Sequence, residues 1–274
     1  MSALAATDFD FVCKLVHRQS AIVLGAGKEY LVESRLVPLA RLAGDQDVPG
    51  LVKRLQREPV GKLADAVVEA MTTNETSFFR DVHPFTALSG TVLPNLLATG
   101  KATRRLDVWC GASSAGQEPY TIAMLLREAC QGHPGWSANV LATDLSQRML
   151  ARTREGRYSQ LEVNRGLPAA RLVRWFDRAG TDWQVKPELR AMVETKFLNL
   201  SEAFPPIGSF DIVFLRNVLI YFDPPTKKQV LQRVRRVMRP DGLLFLGAAE
   251  TTLTIDDAWE RVVIDRATAY RPRR

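Results

Sequence analysis

The chain of 274 residues is long enough for one large domain or two small ones. Its 46% hydrophobic and 24% charged content is that of an ordinary globular protein, and no apolar run approaches the ~18 residues of a membrane-spanning helix. A net charge of +7 favours acidic partners, and the three cysteines, Cys13, Cys110 and Cys130, lack the spacing of a disulfide framework or a zinc site.

The first stretch, MSALAATDFDF, has two aspartates and neither the basic start nor the apolar core of a secretion signal, so the cytoplasm is the expected compartment. Asp8 is expected to cap a helix running to about Arg18. Val32, Leu36, Leu39 and Ala43 share one helical face, with Arg41 opposite and Arg35 at the flank. Pro38 predicts a kink or a break there. Val48 to Gln56 and Leu63 to Met71 continue the helical pattern, so a small helical bundle is predicted. Its basic residues (Lys28, Arg35, Arg41, Lys53, Arg54, Arg57) are either a solvated face or a docking surface for an acidic partner.

Thr72 to Phe85, TTNETSFFRDVHPF, is chemically dense. Asn74 or Thr76 could cap a helix, supported by Glu75 or Asp81. A segment that only joined two domains would not need Phe78-Phe79-Arg80; read plainly, the two phenylalanines anchor a core and Arg80 is a surface charge.

From Thr91 helix and strand alternate. Leu93 to Leu97 ends a helix and Leu106 to Trp109 is a strand. A loop of small residues, Gly111 to Gly116, follows. Glu118-Pro119 then opens a helix to about Ala129. Such a loop is either a plain turn or the device that brings backbone amides against a ligand. Ala138 to Thr143 is a second strand ending on Asp144, placed to bind ribose hydroxyls or to cap the next helix, two compatible roles. Arg171 to Phe197 holds a hairpin around Ala-Gly-Thr-Asp, and Lys196 to Leu198 returns to the main sheet with Asn199-Leu200 at its end. Ser209 to Leu215 is a buried strand ending on Arg216-Asn217. Tyr221-Phe222-Asp223 precedes a helix from about Thr226 to Met238. Gly242 to Gly247 is another strand, and Trp259–Ile264 with Thr268–Arg271 form a closing hairpin.

That order, ending in an antiparallel pair, fits a methyltransferase-type sheet better than a dehydrogenase sheet. The stretches MTTNETSFFRD, DVWCGASSAGQEPYTIA, ATDLS, Asn199-Leu200, FDIVFLRNVLIYFD and DGLLFLGAAE together resemble the CheR-type chemoreceptor methyltransferases, over nearly the whole chain. The resemblance implies an α/β fold: a Rossmann-like S-adenosylmethionine-dependent methyltransferase sheet with a small β-hairpin insertion, preceded by an all-α N-terminal domain. It implies a helical receptor-docking domain over 1–85 and a catalytic domain over 90–274, with the insertion at about 171–197.

By the same resemblance the enzyme transfers a methyl group from S-adenosylmethionine to receptor glutamate carboxylates, leaving S-adenosylhomocysteine, without a metal. Asn74, Thr76, Arg80, Glu118, Asp144, Asn199, Leu200, Arg216 and Asn217 would surround the cofactor, and Arg80 and Tyr221 would face the methyl group and the incoming carboxylate. The partners implied are the cytoplasmic domains of methyl-accepting chemoreceptors in membrane-bound arrays, met by the basic helices carrying Arg35 and Arg41. Neither nucleic acid nor a membrane span is expected, and nothing demands more than a monomer. The chain departs from the family in reading Ser-Ala-Gly-Gln at 114–117 for Ser-Thr-Gly-Glu, and Cys110-Gly111 for Ser-Ala; Glu118 is retained. The turn of the β-insertion is shorter than in members that grip a C-terminal pentapeptide tether, so independence of the tether is expected.

The chemistry fits these residues. A glutamate, with a reference pKa of ~4.3, is already ionised at neutral pH, so no general base is needed. The three histidines, His17, His83 and His133, form no catalytic pairing. The reaction asks instead for alignment and partial desolvation of the nucleophile, tasks suited to Arg80 and Tyr221. A nicotinamide dehydrogenase wants G-x-G-x-x-G, which the loop does not supply. A nucleic-acid methyltransferase would close its fourth strand on an acidic-Pro-Pro motif. Here Arg216-Asn217 close the strand, and Pro224-Pro225 start a helix. A catalytically silent receptor scaffold would not need Asn74, Arg80, Glu118, Asp144 and Tyr221.

Overall fold

Residues 4–99 and 103–273 are described by the computed structural model. The first three residues of the N-terminal stretch and Arg274, the last residue of the expected catalytic domain, lie outside them. The chain divides into two units. One comprises Met1–Thr73 with Leu200–Glu202 and Tyr221–Val230; the other comprises Asn74–Asn199 with Ala203–Ile220 and Leu231–Arg274.

In the first unit, apolar residues recurring every three or four positions build α1 (Ala6–Ser20), α2 (Glu29–Leu42), α3 (Val48–Arg57) and α4 (Lys62–Met71). Their buried faces carry Val12, Leu15 and Val16; Val32, Leu36 and Ala40; Leu51, Val52 and Leu55; and Ala64, Val67, Val68 and Met71. Each large aliphatic side chain removed from water contributes about 1.5–3 kcal/mol, which is what holds helices this short in place.

One expectation is corrected and a second narrowed. The N-cap of α1 is Ala5, and Asp8 sits inside the first turn, where its charge meets the positive end of the helix dipole without a capping bond. Of the two outcomes expected at Pro38, the break does not occur: helix α2 runs through it to Leu42. The ring lies on the exposed face, where water can satisfy the carbonyl that loses its partner.

Arg35 is engaged at the end of α4. Its Nη1 donates to the carbonyl oxygens of Met71 (2.7 Å) and Thr72 (3.1 Å), and its Nη2 to Thr73 Oγ1 (3.1 Å), satisfying carbonyls that a helix terminus leaves open. Arg41 is exposed. The Tyr221 carbonyl accepts from Val23 N (2.9 Å), and His17 Nε2 lies 3.3 Å from Asp223 Oδ2.

The second unit opens with α5 (His83–Ala87), a π-helical turn (Leu88–Val92) and α6 (Leu93–Ala98). It continues with β1 (Arg105–Gly111), α7 (Gln117–Gln131), β2 (Ser137–Asp144) and α8 (Gln147–Glu155). After β3 (Arg157–Tyr158), α9 (Gln160–Asn164) and α10 (Ala169–Trp175) come β4 (Phe176–Ala179) and β5 (Asp182–Val185). Then follow α11 (Pro187–Arg190), β6 (Val193–Phe197) and β7 (Phe210–Leu215). A 3-10 turn (Leu219–Tyr221) leads into α12 (Pro224–Arg236), and β8 (Met238–Leu246), β9 (Trp259–Ile264) and β10 (Ala267–Pro272) end the chain.

Seven strands form one sheet in the order β6-β2-β1-β7-β8-β10-β9. The first five are mutually parallel, and β10 pairs antiparallel with both β8 and β9. Burial of all six residues of β7 explains its unbroken apolar run. The strand order reverses between β1 and β7, where Gly111 faces both Thr143 of β2 and Leu215 of β7. In an open α/β sheet the ligand crevice forms at that reversal, outside the carboxyl ends of the strands.

A second sheet, β3-β5-β4, contains the expected hairpin, with Ala179 opposite Asp182 across a two-residue turn. It also holds β3, a strand that the sequence reading missed because two residues show no alternation.

The helix expected from Asn74 or Thr76 is absent; residues 73–82 are irregular, and α5 begins only at His83. Phe79, Asp81 and Val82 adopt positive φ (50°, 65° and 38°). Packing overrides the capping signal. The Phe78 ring stands edge-on to Tyr158 (5.1 Å) and Phe176 (5.7 Å), and Phe79 N donates to Thr121 Oγ1 of α7. The plain reading of both phenylalanines as core anchors is the observed one.

Glu128 on α7 ties α10 down. It accepts from Arg171 Nε (3.1 Å) and Nη2 (2.8 Å) and from Trp175 Nε1 (3.1 Å). Burial alone would raise this carboxyl; the bonds from Arg171 and Trp175 and the nearby arginine charges outweigh it and hold the pKa below its ordinary value of 4.5. A depressed folded value stabilises the protein above the unfolded value, and that contribution disappears as pH falls through the folded value. Denaturation midpoints followed from neutral pH to below 4 should therefore fall more steeply for the parent than for Glu128→Gln.

Candidate active site

The small residues after β1 make a loop of left-handed turns: Ala112 (φ 54°), Ser114 (φ 50°) and Gly116 (φ 95°). Gly116 is required twice, by its φ and because a Cβ would lie 2.7 Å from Tyr158 Oη and 2.9 Å from Thr153 Oγ1. Ser113 N donates to the Thr143 carbonyl (2.9 Å), fastening the loop to β2, while Trp109 Nε1 donates to Thr143 Oγ1 (2.9 Å) beneath it. Tyr158 of β3, fully buried, donates from Oη to the Ala115 carbonyl (2.7 Å). Glu118 stands in the first turn of α7, so the positive end of that helix already faces a carboxylate.

Two groups of residues flank the loop. On the β2 side, the buried Asp144 carboxylate accepts from Ser114 N and Ser146 N, each at 2.8 Å. Ser146 is the residue that caps α8. Ser114 Oγ donates to the Asn74 carbonyl (2.9 Å), and Leu198 N donates to the Asp144 carbonyl (3.1 Å), one residue ahead of buried Asn199. Asn74, Asp144 and Asn199 are thereby brought together. Asn74 and Thr76 also line a cavity of about 520 Å3 with Ala115, Gln117, Arg152 and Leu161. Arg80 Nη1 donates to the Glu75 carbonyl (2.8 Å).

On the β7 side, the Arg216 side chain is 1% exposed. Its Nη1 donates to Glu118 Oε2; its Nη2 donates to Asp81 Oδ2 (2.6 Å) and to the Arg80 carbonyl (3.0 Å). The guanidinium also lies over the Phe85 ring, 5.3 Å from its centroid. A cation this deep is tolerable only because two carboxylates and a ring answer it. Cys110 Sγ donates to Glu118 Oε1 (3.2 Å); burial, with the Glu118 charge beside it, pushes this thiol well above its ordinary range and keeps it protonated. Asn217 follows in the left-handed region (φ 57°).

Leu200 and Tyr221 belong to the first unit, where Leu200 is buried and Tyr221 half-buried. Sequence reasoning named Ser113, Ser114 and Gln117 only as members of the loop, and gave Asp81 no place in the site. Asp81 was visible only as a cap, and pairing across 135 residues with Arg216 leaves no local signal. Ser113 Oγ and Gln117 Oε1 are buried without a protein partner. Such atoms cost about 1–3 kcal/mol each when unsatisfied, and they leave the loop two polar groups open to a ligand or to water.

The family model described as CheR methyltransferase, SAM binding domain, matches residues 74–267, and that described as CheR methyltransferase, all-alpha domain, matches residues 7–72. The chain belongs to the CheR methyltransferase family. Its CheR-family relatives extend over nearly its whole length. It is 41% identical over 268 residues to chemotaxis protein methyltransferase Cher2 of Pseudomonas putida, covering 96% of this chain and 97% of that one. It is 41% identical over 275 residues to chemotaxis protein methyltransferase 1 of Pseudomonas aeruginosa, covering 99% of each. The chemotaxis protein methyltransferase of Salmonella typhimurium is 35% identical over 257 residues, covering 90% of this chain and 85% of that one. The sheet and the all-α N-terminal segment are those expected of an S-adenosylmethionine-dependent methyltransferase of the CheR family. Among the described residues no helix is long and apolar enough to cross a membrane, and no three His, Cys, Asp or Glu side chains are grouped to hold a metal.

Proposed function

We propose that this methyltransferase esterifies glutamate side chains in the cytoplasmic domains of chemoreceptors, using S-adenosylmethionine and releasing S-adenosylhomocysteine. The observation that carries the reading is the loop at 111–117, flanked by Asp144 and Glu118 and bearing two unpartnered buried polar atoms, in a chain similar end to end to chemotaxis methyltransferases. S-adenosylmethionine presents an ammonium group, a ribose diol and an adenine amine, all donors, and this donor set fits those acceptors. Bound there, it would supply an electrophilic methyl carbon, to which an already ionised carboxylate oxygen can bond as the carbon–sulfur bond breaks and S-adenosylhomocysteine leaves, with no general base required.

The rest falls to the chain's own residues. Glu118 would take the methionine end of the cofactor and Asp144 the ribose or adenine side, while Asn74, Thr76, Asn199 and Asn217 would complete the walls. Arg216 acts mainly by holding Glu118, since its Nη atoms are already committed. Arg80 orients the acceptor carboxylate and excludes water around it. An arginine that fully neutralised the acceptor would blunt it as a nucleophile, so Arg80 orients.

The helical N-terminal segment docks to the receptor and the sheet-bearing segment catalyses. Arg41, Lys28, Lys53 and Arg57 are exposed and available for docking; Arg35 is occupied at the end of α4. The enzyme works as a monomer in the cytoplasm, beside membrane-bound receptor arrays.

Labelled methyl should pass to receptor cytoplasmic fragments, be lost when the acceptor glutamates are changed to alanine, and be released in mild base as expected of a carboxyl ester. Label stable to base would overturn the carboxylate acceptor. The β4–β5 turn is only two residues long, so a receptor's C-terminal pentapeptide should give no measurable heat in a calorimetric titration. Tight binding of that peptide would refute tether independence.

A further inference from the structure

The segment that follows β7 is held by one side chain from another part of the chain. After β8 the backbone turns at Gly247–Glu250, closed by Glu250 N donating to the Gly247 carbonyl (2.9 Å). The Glu250 carboxylate then receives four main-chain N–H groups. Gly247 N and Asn217 N each donate to Oε2 at 2.7 Å; Val218 N (2.9 Å) and Ile220 N (3.3 Å) donate to Oε1. Successive N–H groups that converge beside a left-handed residue form a concave anion seat, and Asn217 at φ 57° makes one here. Asparagine is among the few side chains that adopt this region at modest cost, and the carboxylate supplies the compensation.

Gly247 has a matching role. A Cβ on it would lie 2.7 Å from Glu250 Oε2, 2.8 Å from Asn217 Nδ2 and 2.9 Å from Asn217 N. The absence of a side chain at 247 is what lets the loop after β8 close on the loop after β7. Leu215 and Leu246, the last residues of these strands, are register partners, so both loops leave the sheet side by side.

We propose that Glu250 is a positioning residue for methyl transfer, acting through the segment 216–220. That segment begins with Arg216, the buried cation that holds Glu118, and ends one residue before Tyr221. By fixing its backbone, the Glu250 carboxylate sets where the Arg216 guanidinium stands against Glu118. The proposal rests on the functional reading above.

The test uses the full chain with Glu250→Gln and Gly247→Ala. Glutamine keeps the length but turns one oxygen into a donor that faces N–H groups. Alanine keeps the carboxylate and pushes it out of its seat. Binding of S-adenosylhomocysteine is measured by calorimetry, and kcat and KM by label transfer to a receptor fragment, on variants whose far-ultraviolet spectra match the parent. Both variants should bind S-adenosylhomocysteine about tenfold more weakly and lose about tenfold in kcat, with the acceptor KM changed less than about twofold. A merely structural glutamate would lower the melting temperature and leave affinity and kcat within about twofold of the parent, and that result for either folded variant overturns the proposal. The binding measurement needs no acceptor. A parent that binds S-adenosylhomocysteine yet methylates no receptor fragment would overturn the substrate reading alone and leave the affinity loss of the variants to decide for or against the clamp.

Discussion

Glu118→Ala is expected to cost about 3 kcal/mol of stability and to abolish measurable binding of S-adenosylhomocysteine. The stability loss comes from what the substitution leaves behind. Arg216, 1% exposed, keeps Asp81 and the Arg80 carbonyl but loses its more deeply buried partner; the Glu118 side chain is 12% exposed against 41% for Asp81. A buried cation stripped of one counter-ion costs far more than the pair contributed in the first place. Glu118→Gln retains an acceptor for Arg216 Nη1, so it should cost no more than about 1.5 kcal/mol while still weakening the cofactor, because the charge is gone. Denaturant unfolding separates the two variants, and calorimetry measures the binding. A Glu118→Ala protein as stable as the parent would show that Asp81 alone suffices for Arg216. A further comparison follows from the same physics: Glu118→Leu with Arg216→Met removes both charges together and should recover much of the stability, with no recovery of binding.

Gly166→Ala should destabilise the second unit by about 3 kcal/mol, although the substitution adds one methyl group at a surface turn. Gly166 sits at φ 92°, which alanine adopts only under strain, and its Cβ would overlap the carbonyl oxygen of Phe78. That oxygen is backbone and cannot rotate away. Shifting it moves the Phe78 ring out from between Tyr158 and Phe176. Asn74 and Thr76 lie just upstream on the same irregular stretch, so cofactor affinity should fall along with the melting temperature. Val163→Ala on nearby α9, which trims a buried side chain of the same core and introduces no overlap with the Phe78 carbonyl, provides the comparison. It should lower stability and leave affinity near the parent's.

What was legible in the sequence was what short-range pattern records. The strand–loop–helix at 105–131 announces itself by its small residues and by the apolar stripe of α7, and the closing pair β9–β10 by its composition. Asp144 could be assigned two compatible roles. The structure gives its carboxylate the N–H groups of Ser114 and Ser146 and gives the cap itself to Ser146. The failures share a cause. Asn74 and Thr76 carry a capping signal that is overridden by the burial of Phe78, whose partners lie some 80 to 100 residues away in sequence and leave no local trace. Arg35 reads as a flank charge because the carbonyls it satisfies belong to another helix. The Glu118–Arg216 pair spans 98 residues, and nothing in either neighbourhood names the other.

The small three-stranded sheet enters the chain between α8 and β6, where it could pass for an exchangeable cassette. Tyr158 denies it that independence. Its hydroxyl holds the Ala115 carbonyl, its ring abuts Phe78, and its bulk demands glycine at 116. A lineage could lengthen, shorten or trade the β4–β5 turn at little cost, but the strand bearing Tyr158 must be inherited together with the loop it braces. Chimaeras between relatives should accordingly be joined after Tyr158 and not at Arg157, since a cut upstream of that tyrosine parts two pieces that pack as one.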